Sequence, residues 1–140
     1  MMPVLRFLLP LLMFAANAMA QNEGSPYGER VSIAALIADP EKHDGKRVQL
    51  VGFLNIEFEG HALYFDQNSF EHLIFKNGLW LALTEQEIKK YQTLSGKYVV
   101  ITGTFDATDQ GHRGNWSGSL KQLTEIQTMP TRSEIEQSLK

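Results

Sequence analysis

The sequence predicts an all-β domain with small helices: a five-stranded β-barrel with one helix between its third and fourth strands. Three observations lead there. The stretch Gly45-Lys46-Arg47-Val48-Gln49-Leu50-Val51-Gly52-Phe53-Leu54 is echoed by Gly96-Lys97-Tyr98-Val99-Val100-Ile101-Thr102-Gly103-Thr104-Phe105, each a turn feeding a long strand with a glycine in its middle. Val48, Leu50, Gly52, Leu54, Ile56 and Phe58 recur at the period of two that puts side chains on one strand face. Thr84-x-x-Glu87 is a capping box, which starts a helix inside an otherwise strand-rich chain.

Taken in order, Gln21 to Arg30 is polar, with Gly24, Pro26 and Gly28, and reads as a flexible lead over residues 21–30. Ser32 caps a short helix over Ile33 to Ala38, which Asp39-Pro40 stops. Glu41 to Lys46 is a charged loop closing on the turn pair Asp44-Gly45, and His43 within it reads as solvated. Strand one spans about Arg47 to Phe58, with Gly52 the expected bulge or coil. Glu59-Gly60 turns into strand two, His61 to Asp66. Ser69 is read as capping a single turn with Phe70, Leu73 and Ile74, and Lys76-Asn77-Gly78 turns the chain into strand three, Leu79 to Leu83. The helix opened by Thr84 carries Ile88, Tyr91 and Leu94 and ends at Gly96. Strand four is Tyr98 to Asp106, a polar loop covers Ala107 to Asn115, and strand five is about Trp116 to Glu125. The barrel domain is thus placed at 31–128 and a polar tail at 129–140, with a loose helix over Ser133 to Leu139.

Strand, strand, strand, helix, strand, strand is the order of the OB-fold. Lys42 through Leu54, the tract Phe58-Glu59-Gly60-His61-Ala62-Leu63-Tyr64, Asn77-Gly78-Leu79-Trp80 and Gly111-His112-Arg113-Gly114 resemble OB-type domains of exported bacterial proteins, a group of unassigned function. The resemblance covers about Val31 to Ile126. It implies the fold and export, and carries over no catalytic residue.

Composition narrows the address and the partners. One positive charge, an apolar run over Phe7 to Ala16 and the small-x-small site Ala18-Met19-Ala20 form a signal peptide over 1–20, cut before Gln21. The run is short and broken by Pro10, so no stable membrane insertion is expected once it is removed. The expected address is periplasmic or secreted. No cysteine is present, so the domain rests on its core alone, which fits a bacterial envelope. Without Arg6 the exported chain holds 12 basic against 16 acidic residues, which speaks against nucleic acid.

The loop Gly111-His112-Arg113-Gly114-Asn115-Trp116 joins strands four and five, a connection OB-folds use to grip ligands. His112, Arg113, Asn115 and Trp116 offer a titratable ring, a guanidinium, an amide and an aromatic plane; alternatively Trp116 packs on the barrel end. Phe53 and Tyr98 sit opposite the regular apolar set and extend the candidate ligand-binding set as an exposed patch, unless a small secondary core under the N-terminal helix takes them. Asp106, Asp109 and His112, three apart, are the alternative metal ligands, at a spacing that is no known binding signature. No nucleophile elbow, His-Glu-x-x-His or phosphate loop appears, and a nuclease reading has only Asp66, Asp106, Arg47 and Arg113 to draw on. No cofactor is expected. The reading is a non-catalytic envelope module that binds a protein or envelope glycan through the strand 4–5 loop. Its alternatives are a metal-dependent or small-molecule activity on the same loop, and a passive structural envelope protein.

Overall fold

Alternating burial along two nine-residue strands sets the architecture. The computed structural model describes residues 25–140; the signal peptide expected over 1–20, with its cut after Ala20, lies outside them. A two-residue strand β1 (Glu29–Arg30) precedes β2 (Arg47–Asn55), β3 (Ala62–Tyr64), β4 (Gly78–Leu81), β5 (Tyr98–Asp106) and β6 (Ser119–Thr128). The hydrogen-bonded order β2-β3-β4-β6-β5 closes because β5 pairs back onto β2. Only β4 and β6 run parallel within this ring; its other pairs are antiparallel. The result is a closed five-stranded OB-like barrel with β1 outside it, pairing in parallel with β2 at Val48 and Gln49. A helix stands between the third and fourth barrel strands, as the capping box predicts: α4 (Glu85–Tyr91), with Thr84 and Glu87 each bonding the other's backbone N–H.

The other helices are short. α1 (Ile33–Ala38) starts where Ser32 accepts from Ala35 N–H and drives Ile33 and Leu36 into the core. Pro40, expected to stop the chain's first helix, also opens α2 (Pro40–His43), because a proline at the first helical position lacks only an N–H that would be orphaned anyway. α2 carries His43 inward: it is 4% exposed, not solvated, and its Nδ1 lies 3.9 Å from Glu29 Oε2. α3 (Gln67–Glu71) is capped by Asp66 rather than Ser69, whose own N–H is the donor. α5 (Arg132–Ser138) follows its capping residue Thr131 and is exposed throughout.

The two mid-strand glycines solve different problems. β2 and β5 stay in register from Arg47↔Thr104 to Phe53↔Tyr98, so Gly52 makes no bulge. It is a close approach: a Cβ there would sit 2.6 Å from the Tyr64 carbonyl oxygen and 2.8 Å from Ile33 Cδ1. The bulge lies opposite Gly103, where the β5–β6 register jumps from Thr102↔Glu125 to Thr104↔Lys121. Arg47 secures the extra β6 residues by donating to the Gln122 carbonyl at 3.0 Å and to Thr124 Oγ1 at 2.7 Å.

Val48, Leu50, Leu54, Ile56, Leu63, Leu79, Leu81, Val99, Ile101, Phe105 and Leu120 fill the barrel, with α1 and Tyr91 of α4 packed on it. β2 ends at Asn55, three residues before its expected limit, so Phe58 leaves the inward face and stands 90% exposed. A second cluster outside the barrel gathers Phe53, Ala62, Tyr64 and Trp116 under Phe70, Phe75 and Trp80.

Candidate functional site

The loops β2–β3 (residues 56–61) and β5–β6 (107–118) meet at one end of the barrel. The longer loop is built on carboxylates. Asp106 Oδ1 accepts from the Thr108 N–H, the Thr108 hydroxyl and the Asp109 N–H, at 2.9, 2.7 and 3.1 Å. Asp109 Oδ1 accepts from Gly111 N–H at 3.0 Å, and the Asp109 carbonyl accepts from Ser119 Oγ at 2.8 Å. Lys121 Nζ then joins both acids, 2.8 Å from Asp106 Oδ2 and 2.9 Å from Asp109 Oδ2. The ammonium beside them, with these hydrogen bonds, holds both carboxyls below the usual carboxylate range, and the two acids raise Lys121 in return.

The far side of the loop is pinned as well. Lys76 Nζ donates to the carbonyls of Gly114 and Trp116 at 3.3 and 3.0 Å, and Ser117 Oγ donates to the Lys76 carbonyl at 2.6 Å. Gly111, at φ 67°, lies so close to Trp80 that a Cβ would come within 2.5 Å of Trp80 Cγ. Trp116 is 3% exposed and meets Tyr64 and Phe75 edge-on, with ring centroids 5.3 and 5.1 Å apart. Burial in this cluster, with Glu57 nearby, pushes the Tyr64 hydroxyl up to about 12.

On this base the tip presents His112, Arg113 and Asn115 to solvent. The His112 ring stacks on Trp80 at 6.3 Å and 27°, and its Nε2 lies 3.6 Å from Glu59 Oε2 across the junction of the two loops. His61 flanks the same indole at 6.2 Å, and burial lowers its pKa more than the nearby Glu57 carboxylate raises it. Glu59 itself turns in the left-handed region at φ 56° and leaves Phe58 projecting beside it. A solvent-facing phenyl ring thus stands next in the chain to the carboxylate that meets the imidazole, and the loop carrying that imidazole also exposes a guanidinium and an amide on a tightly hydrogen-bonded base.

The chain matches no protein-family model, no curated protein and no solved structure. The site therefore rests on its own geometry.

Of the residues singled out from sequence, the structure brings His112, Arg113 and Asn115 together at the loop tip. It does not form the exposed patch of Phe53, Tyr98 and Trp116. Trp116 packs on the barrel end, and Phe53 is covered by Phe70 of α3 at 5.4 Å. The secondary core that takes them lies under α3, not under α1. Tyr98 is 41% exposed but opens β5, whereas the loop follows the strand's last residue. Asp106, Asp109 and His112 do not converge on an ion site: Lys121 occupies the two acids and His112 turns to Glu59. Among the described residues no group of three His, Asp or Glu side chains could hold a metal ion. Phe58 and the Glu59–His112 contact were missed, because the strand's early end and the meeting of two remote loops leave no periodic trace. The Glu59-Gly60 turn pair was the available signal.

Proposed function

We propose that this chain is an exported, non-catalytic binding module of the bacterial cell envelope, and that it captures a protein partner at the barrel end where the β2–β3 and β5–β6 loops meet. The observation that carries this reading is Phe58. It is 90% exposed on a tight turn next to Glu59, whose carboxylate meets His112 on the loop that also exposes Arg113 and Asn115. Apolar anchors ringed by polar groups are the recurrent chemistry of protein recognition. The bonding beneath the loop supports it further, because a rim already ordered loses little freedom on binding. The acidic balance of the exported chain favours a protein or envelope glycan over nucleic acid.

The test is a crosslinked capture from the envelope fraction with the exported protein and with Phe58→Ser/His112→Ala, both of which keep the core intact. A specific protein held by the wild type and lost from the variant is the expected result. Equal capture by both would move the site off the loops, and capture by neither would leave a glycan ligand or a passive structural role. Mass spectrometry of the recovered protein is expected to show Gln21 as its first residue; a chain still beginning at Met1 would overturn the export reading.

A further inference from the structure

A second surface lies on the outer face of β2, β5 and β6. Between the N-terminal segment at Tyr27–Ser32 and Met129 runs a groove of about 860 Å³, and a hollow of about 630 Å³ adjoins it at Val51 and Met129, reaching Lys97, Tyr98 and Glu134. Strand register dictates how the floor is paved. Gln49, Thr102 and Glu125 form one cross-strand row, and Val51, Val100 and Gln127 form the next. Tyr98 stands at the following outward position of β5. A polar row therefore adjoins an apolar one, which leads to an aromatic ring.

We propose that this groove binds an uncharged glycan chain, a role that stands independently of the loop site. Charge is the first argument. The cations Arg30 and Lys97 are matched by Glu125 and Glu134, so the lining has no excess to attract phosphate or an acidic polymer. Backbone pairing is the second. β5, the middle strand of the floor, is paired on both sides, to β2 and to β6, so a ligand lying over Val100 and Thr102 is read by side chains rather than by backbone pairing. Side-chain chemistry is the third. Gln49 Oε1 accepts from Arg30 Nε at 3.1 Å, which orients a planar amide beside a planar guanidinium and leaves N–H groups of both for ligand hydroxyls. Glu125 and Gln127 add exposed acceptors and donors on the β6 side. Tyr98 supplies the platform: its hydroxyl accepts from Gln67 N–H at 3.0 Å and its ring meets Phe53 edge-on at 5.5 Å. The ring is thereby fixed while much of it stays open to solvent, the arrangement that stacks on the C–H face of a sugar. Tyr27 offers a second exposed aromatic beyond the polar row. Planar hydrogen-bonding groups between aromatic rings, with no net charge, suit a ligand of many hydroxyls and flat apolar faces.

The experiment titrates the exported protein with three neutral oligosaccharides, chitohexaose, cellohexaose and maltohexaose, by calorimetry. The expected result is saturable binding of at least one, with a Kd below about 1 mM. Glu125→Ala/Gln127→Ala, which changes only exposed side chains, should weaken it by about tenfold or more, a loss of two or three polar contacts. Tyr98→Ala should weaken it as well, and Phe58→Ser/His112→Ala should leave it unchanged. Absence of binding to all three saccharides overturns the proposal. So does binding that the Glu125/Gln127 variant leaves intact, or binding lost with the loop variant instead.

Discussion

At the scale of single residues, Lys121 decides what the acids of the β5–β6 loop can do. The two carboxylates that a sequence reader would give to a metal already share an ammonium group, and their remaining oxygens hold backbone N–H groups. Lys121→Met should leave the core intact and lower stability at neutral pH by about 1 kcal/mol, the upper end for half-exposed pairs in salt. The sign of its pH dependence follows from the shifts. Asp106 and Asp109 are lowered, so their contribution is complete above about pH 4 and is lost as they protonate below it; Lys121 is raised, so its contribution persists until pH passes about 10. Thermal melts of wild type and Lys121→Met should therefore differ by a constant amount between about pH 5 and 10 and draw progressively closer as pH falls below about 4. A gap that does not narrow at all below about pH 4 would place the Lys121 effect elsewhere. Trp116 belongs to the same loop and carries a different role. Trp116→Ala should cost about 3–5 kcal/mol in chemical denaturation, as for any large aromatic removed from a packed cluster. Phe58→Ser should cost nearly nothing, because that ring has no core to leave.

At the scale of elements, the local capping signals were legible at Ser32 and Thr84 but not at Ser69, where Asp66 three residues earlier is the cap. Ser32 and Thr84 cap the helices they were expected to cap, and both make the predicted side-chain bonds. Caps also separate helices that support the fold from those that do not. Thr84→Ala should destabilise the protein by about 1 kcal/mol, because α4 carries buried Tyr91 onto the barrel. Thr131→Ala removes an equivalent capping box from α5, which buries nothing, so denaturation of the barrel should not respond. Equal effects at the two sites would mean that α5 packs in solution. The period-two pattern likewise placed Val48, Leu50, Leu54 and Ile56 inside. It failed at Phe58, since the pattern cannot tell where a strand stops and its turn begins. Gly52 and Gly103 look alike in sequence. Only the partner strand shows that one admits a carbonyl oxygen and the other faces a bulge. β1 is two residues long, and His43 is buried by α2, so neither leaves a period to read. The loop site was half legible: composition pointed to His112 and Arg113, but Glu59 reaches His112 only because closure of the barrel brings two remote loops together.

At the scale of the whole molecule, closure explains how a domain without cysteine holds together. A closed ring leaves few strand edges, and every barrel strand buries its inward row against the others. The last contribution to that ring is the outer half of β6. Ile126 enters the core opposite Ile101, Val99 pairs with Thr128, and Met129 N–H still donates to the Tyr98 carbonyl at 2.8 Å. Beyond Pro130 the chain adds only exposed α5. The cooperative unit should therefore end at Met129. A chain stopped after Pro130 should melt within about 2 °C of the full protein and just as steeply, since an exposed helix contributes little. A chain stopped after Leu123 loses Ile126 and four β5–β6 rungs, and should show no cooperative transition, because β5 then has a free edge and the core an open side. If the first truncation lowered the melting point by many degrees, α5 would have to cover part of the barrel in solution. Its natural place would be the hollow it borders through Thr131 and Glu134, and occupation of that hollow would exclude a glycan there. The same pair of truncations thus tests both the limit of the fold and the freedom of its outer groove.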